Sequence, residues 1–213
     1  MAERERIVRE LLTRHGKTYA AEVGIDIARN TPAPLFQALC LALLFSARIR
    51  ASIAVDAMRA LLDRGWTTAG HMAQASWEDR VEALNRAGYA RFDEKTATML
   101  GDAAERVLDR YDGDLRRLRD EADRDPGRER ESLKQVKGIG DVGVDIFFRE
   151  AQAAWPELYP FADAKALEGA AALGLPPDPE TLAEFGYPQD FTRLVTALVR
   201  MQLSGDADDL LDG

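Results

Sequence analysis

Cysteine is nearly absent from this 213-residue chain, in which Cys40 is the only one. A single thiol forms no intrachain disulfide and supplies no cysteine-ligated metal cluster. It lies in the apolar run LFQALCLALLF, where a small hydrophobe suits a core. Long apolar runs are scarce as well. The longest, Leu35 to Ala47, is broken by Gln37 and is too short to span a bilayer. The opening residues MAERERIVRELL are charged from the third onward and lack the apolar core of a signal peptide. A cytoplasmic protein with no membrane partner is therefore the expectation. Alternation of period two is missing at any length that would make a strand. Positive charge is in deficit, 28 Lys and Arg against 37 Asp and Glu, for a net charge of −9. That balance excludes a broad basic coat for nucleic acid but permits a local basic face. Much of the acid is concentrated in Asp120 to Asp125 and in the tail Asp206 to Asp212.

Helical periodicity fills the rest. Hydrophobic residues make up 46% of the chain, enough for one large domain or two small ones. Ile7, Val8, Leu11 and Leu12 form the stripe of a first helix. Pro32 and Pro34 punctuate the start of a second. From Leu35 to Phe45 it is apolar nearly all round, as a central buried helix would be. Ile53, Ala54, Ala57, Leu61 and Leu62 predict a third, ending near Gly65. Ser76 reads as a cap with Glu78 and Asp79 in the first turn of the next, which ends near Gly88. A longer helix is predicted from Arg91 to Tyr111, a short one from Leu115 to about Ala122, another from Asp163 to Leu173 and a last from Phe191 to Leu203. DRDPGRERE is either a solvated loop or the entry to a helix, and GLPPDPE reads as a loop. The prediction is an all-α protein of about ten helices.

One motif invites chemistry. In LKQVKGIGDVGVDIFF, a short helix carrying Leu133 and Val136 meets Gly138-Ile139-Gly140, and a second helix follows. Two glycines permit a tight turn, and the aliphatic residue between them can plug the gap between the helices. Backbone N–H groups at the start of the second helix then face outward and suit an anion such as a phosphate. The plainer reading is a turn with no ligand. Lys134 and Lys137 favour the anion; Asp141, directly after the turn, opposes it.

These residues resemble the helix-hairpin-helix of endonuclease III and its relatives, the HhH-GPD DNA glycosylase superfamily. Two upstream blocks resemble the same family in the same order, PAPLFQALCLALLFSARIRASIAVDAM and GYARFDEKTATMLGDAAERVLDRYDGDL. The resemblance covers roughly residues 32 to 173. It implies a bilobed all-α fold with a six-helix barrel lobe over 32–136. A second lobe would comprise 1–31 with 137–213, and the hairpin 133–148 would stand at the junction. The implied partner is double-stranded DNA containing a lesion, bound by a monomer, with the damaged base flipped out of the stack.

The resemblance also assigns roles. Asp163, in YPFADAKAL, matches the family's essential aspartate, which stabilises positive charge on the deoxyribose and handles the attacking water. An ordinary N-cap aspartate is the alternative, and the two roles are compatible. Arg48 matches the position that fills the gap left by a flipped base, although it could be a simple surface arginine. Arg50, Lys134, Lys137, Gly138, Ile139, Gly140 and Val142 complete the implied DNA-binding set, and Arg91 and Lys95 are further candidates for a basic face. Tyr89 is the preferred stacking aromatic.

The departures are informative. Bifunctional relatives carry a lysine nucleophile two residues after the second hairpin glycine. Val142 stands there, so lysine-dependent lyase activity is expected to be absent. Lys165 is either a substitute or a solvated helix lysine. The family's cluster needs four cysteines, so no iron–sulfur cluster is expected; a monovalent cation at the hairpin is a further expectation. The function implied is a monofunctional DNA base-excision glycosylase. The alternatives are a non-catalytic DNA- or damage-binding member of the same fold, or a helical interaction protein.

Overall fold

Several helix starts in this chain are set by side-chain caps. The computed structural model describes residues 2–186 and 188–211, so Asp212 of the acidic tail lies outside them. Thr68, Ser76, Asp114, Asp125, Asp163 and Asp178 each accept a hydrogen bond from a backbone N–H in the turn that follows. Each such cap stabilises its helix by about 1 kcal/mol. Every regular element among the described residues is helical, and the fold is all-α. No helix among them is long and apolar enough to cross a membrane.

The chain divides into two compact units, 23–147 and 1–22 with 148–213. The internal unit is organised on the helix Pro32–Phe45, whose residues from Leu35 to Leu44 are all buried. Ala51–Asp63 presents Ala54, Ala57, Met58 and Leu61 to the core, and Asp93–Tyr111 presents Ala97, Leu100, Ala104 and Val107. Arg80 is buried here and stands in for missing backbone partners. Its Nε donates to the Ala97 carbonyl at 2.9 Å, and its Nη1 to those of Met72 and Ala75 at 3.0 and 2.8 Å. Three helices are thereby joined by one guanidinium. The Trp77–Leu84 helix runs on into a wider turn of π type, Asn85–Tyr89, with Gly88 at φ 84°. That turn redirects the chain so that 90–92 form a short link into Asp93–Tyr111.

The discontinuous unit pairs the first helix, Ala2–His15, with Pro188–Ser204 and Ala164–Ala172. Its core includes Ile7, Val8, Leu11, Ala166, Ala170, Leu194, Val195 and Leu198. Gly169 is required by close packing, because a Cβ there would sit 2.7 Å from the Leu198 carbonyl oxygen.

Several elements differ from the sequence reading. The units divide at 147/148, inside the helix Asp141–Ala151, whereas the reading broke the chain at 136/137. The physical reason lies in the hairpin turn, which packs on the internal unit: a Cβ at Gly138 would meet Leu43 Cδ2 at 3.0 Å, and one at Gly143 would meet Ser46 Oγ at 3.0 Å. DRDPGRERE resolves as a helix entry, Pro126–Lys134, capped by Asp125. GLPPDPE is only partly loop, because Asp178 caps a helix over Pro179–Ala183. Tyr19–Glu22, Ala69–Gln74 and Ala207–Leu211 are also short helices, too brief to display a period.

Candidate functional site

The hairpin is closed by backbone hydrogen bonds. Val136 N–H donates to Leu133 O at 2.9 Å and Ile139 N–H to Val136 O at 3.0 Å. Gly138 has φ +94°, a conformation L side chains rarely adopt, and the methyl group of Met99 lies against it. Ile139 is buried and abuts Gly143, so it plugs the turn. In Asp141–Ala151 the first backbone donor served from behind is Val144 N–H, to Gly140 O at 3.0 Å. The preceding N–H groups of the first turn point beyond the helix end, as in any α-helix.

The side chains around this turn pair among themselves. Lys134 Nζ lies 3.2 Å from Asp141 Oδ1 and 3.5 Å from Glu131. Its hydrogen bond to Asp141 raises its pKa above the ordinary lysine value. Arg130 reaches Asp145 at 2.7 Å and Asp141 at 3.9 Å. Lys137 Nζ donates to Asp102 at 2.8 Å. Val142 is 64% exposed at the start of the helix and offers no amine.

Beside the hairpin, within the same unit, lies an open hollow of about 920 Å³. Its floor is apolar, with Leu43, Phe92 and Met99. Ser46 to Arg48, the turn after the central helix, forms one wall, and the 91–99 stretch forms another. Among the described residues its lining includes the cations Arg48, Arg91, Lys95 and Lys137 and no carboxylate, although Lys137 is paired with Asp102. Arg48 and Lys95 are exposed and form no ion pair or side-chain hydrogen bond among the described residues. Arg91 lies over the Phe92 ring at 5.4 Å. On a protein of net charge −9 this is a local reversal of sign.

Asp163 belongs to the other unit and is closely held. It caps Ala164–Ala172 through Oδ1, which accepts from Ala166 N–H at 2.9 Å. Its Oδ2 accepts from Arg149 Nε at 2.7 Å and from Nη2. Both residues are buried, Asp163 at 6% exposure and Arg149 at 5%. Gln152 fixes the loop that leads to the pair. Its Nε2 donates to Phe161 O and its Oε1 accepts from Phe161 N–H, both at 3.0 Å. Next to Arg149, buried Glu150 accepts from Tyr19 N–H at 3.0 Å, and burial pushes its carboxyl above the usual range.

The structure thus gathers Arg48, Lys137 and Gly138 around one hollow and finds Arg50 exposed at the cap position of Ala51–Asp63. Gly140 is exposed and Ile139 is buried beneath the turn. Tyr89 is no stacking residue: it is 1% exposed, and its hydroxyl donates to Leu44 O at 2.7 Å. Phe92 lines the hollow in its place. Lys165 is exposed and lies 3.4 Å from Glu168, as a solvated helix lysine would. Sequence reasoning missed Arg149, which sits in an apolar-rich helix 14 residues before its partner. A cysteine-ligated cluster does not fit this chain, because its one cysteine is 1% exposed in the core of Pro32–Phe45 and burial raises its thiol pKa.

Comparison with known proteins gives a consistent picture of the architecture. No family model matches the sequence, and no curated protein matches it significantly. Two solved structures are similar to it, and the fold likeness rests on the first. A non-covalent endonuclease III–DNA complex shares 15% identity at a TM-score of 0.56, over 91% of this chain and 81% of that one. A trapped endonuclease III–DNA covalent intermediate, an estranged-adenine complex, shares 16% identity at a TM-score of 0.48, over 76% of this chain and 71% of that one. The chain has the endonuclease III fold, and at these identities the likeness establishes the fold alone.

Proposed function

We propose that this chain is a monofunctional DNA base-excision glycosylase that hydrolyses the N-glycosidic bond of a damaged or mismatched base. The observation that carries the reading is the cation-lined hollow, with no carboxylate among its described lining residues, on an endonuclease III fold of strongly negative net charge. Binding to duplex DNA is driven by phosphate neutralisation and counterion release, and a local basic face is what it requires. Arg48, on the turn after the central helix, is the wedge for the space a flipped base vacates. Its planar guanidinium can stack there.

In the reaction the C1′–N bond breaks with its electron pair leaving on the base. Water adds at C1′, and the proton it sheds is taken up by the departing base, which leaves neutral. Positive charge builds on the sugar as the bond lengthens, and an anion nearby lowers the barrier. Asp163 is the residue for this role. Arg149 now holds the Asp163 oxygen that would face that charge, so the developing sugar cation would take the place of the guanidinium. Val142 has no amine for a Schiff base, and Lys165 is exposed beside Glu168, so water is the nucleophile.

One observation favours a second reading. Both Asp163 oxygens are engaged and the pair is buried, which suits a non-catalytic DNA- or damage-binding protein. Base release separates the two. Duplexes carrying one damaged or mismatched base each are incubated with the chain, and the free base is measured by mass spectrometry. Release by the wild type that is lost in Asp163→Asn supports the glycosylase. Tight duplex binding without release of any base supports the binding protein.

A further inference from the structure

We propose that the DNA backbone is gripped by the cations of the hollow that face no carboxylate among the described residues, Arg91 and Lys95 beside the Arg48 wedge, while the hairpin's own cations are held by Asp141 and Asp102 and take no phosphate. This rests on the DNA-binding reading above and assigns the surface that carries it. Hairpin and hollow are neighbours in one unit, and both offer basic residues, but their electrostatic states differ. At the hairpin, Asp141 occupies the first turn of Asp141–Ala151, where the helix dipole and free N–H groups favour an anion. Its carboxylate already lies 3.2 Å from Lys134 and 3.9 Å from Arg130. It therefore stands where a phosphate oxygen would, with the same charge sign and the same cationic neighbours.

A DNA phosphate approaching this turn would meet like charge and would have to break an existing pair. A lysine already neutralised by a carboxylate brings little net charge to a phosphate, so it displaces few of the counterions condensed on the DNA and adds little to the salt-dependent part of binding. Arg48 and Lys95 have no such competitor among the described residues. Among the described residues Arg91 is engaged with the face of Phe92, which leaves its N–H edge available for a phosphate. Lys137 lines the hollow but is paired with Asp102 and belongs with the hairpin set. Asp141 acts as an internal phosphate mimic that limits affinity.

The test is fluorescence anisotropy with a labelled duplex containing a tetrahydrofuran abasic analogue, titrated from roughly 20 to 200 mM KCl. The substituted side chains are exposed or half-buried, and thermal melts confirm that each variant is folded. The double variant Arg91→Gln/Lys95→Gln is expected to lose roughly ten- to a hundredfold in affinity and to flatten the log–log salt slope by about 2. Lys134→Gln is expected to stay within roughly twofold of the wild type. Asp141→Asn, which keeps shape and removes charge, is expected to bind roughly three- to tenfold more tightly. Wild-type binding that Lys134→Gln weakens as much as the hollow variant does would overturn the proposal and leave the DNA reading intact. So would unchanged affinity in both Asp141→Asn and the hollow variant. A wild type that fails to bind at the lowest salt overturns the DNA reading, and the proposal with it.

Discussion

The hollow and the Asp163 cluster treat charge in opposite ways. Arg48 and Lys95 stand exposed at the hollow with no carboxylate to answer them, whereas Asp163, in the other unit, has both oxygens occupied and is 6% exposed. An exposed, unpaired cation contributes nothing to folding and is available to a partner. A buried pair is bound into the fold, and removing either member leaves an uncompensated charge. The comparison separates residues kept for a ligand from residues whose first role is to hold the structure. Substitutions at the hollow should change binding and spare stability; substitutions around Asp163 should do both.

The largest expected effect is at the closed end of this comparison. Arg149→Met leaves the Asp163 carboxylate buried without its partner and should cost roughly 3–5 kcal/mol in urea denaturation, whereas Arg48→Gln should lie within about 0.5 kcal/mol of the wild type. If the two cost the same, the contrast fails. Next is Gly138→Ala, which places a methyl group at φ +94° against Met99 and Leu43. A loss of roughly 1–3 kcal/mol is expected, with reduced duplex binding, because the turn sets one rim of the hollow. Asp125→Ala removes the cap on the helix leading to the hairpin and should cost about 1 kcal/mol, leaving DNA affinity unchanged.

Glu150 sharpens the comparison through pH. Burial raises its carboxyl above the ordinary value of 4.5, so the folded state favours the neutral form more than the unfolded state does. That contribution to stability is complete below pH 4.5 and is lost as pH rises through the folded value. In Glu150→Gln the loss is removed. The melting temperature of the variant relative to the wild type should therefore rise with pH above the usual glutamate range and show no such trend below it. The smallest effect is Lys165→Gln, an exposed pair with Glu168, expected within about 0.5 kcal/mol and without change in strand cleavage.

Much of this was legible in the residues. Ser76 and Asp163 announce helix starts because a short acceptor side chain before a helical stripe has one common use. The run from Leu35 to Leu44, apolar but for Gln37, reads as a buried helix, and it is one. The order of the hairpin and the two upstream blocks carried the fold, which structural comparison supports. Other features were hidden because they depend on distance in space. Arg149 and Asp163 meet across a loop that Gln152 pins, and no periodicity links positions 149 and 163. The pairing of Lys134 with Asp141 crosses the hairpin turn, so a run that reads as basic is largely neutralised. Tyr89 and Phe92 look alike as stacking candidates. Only the π-type turn decides that Tyr89 points into the core and Phe92 into the hollow.

The most direct test of the central claim is strand scission in lesion-containing duplexes, each reaction split and one half heated in alkali to break abasic sites. For at least one lesion, breaks should appear only in the alkali-treated half and vanish in Asp163→Asn. Breaks without alkali would contradict the assignment of water as the nucleophile. No breaks in either half across the panel, with duplex binding intact, would contradict the glycosylase itself.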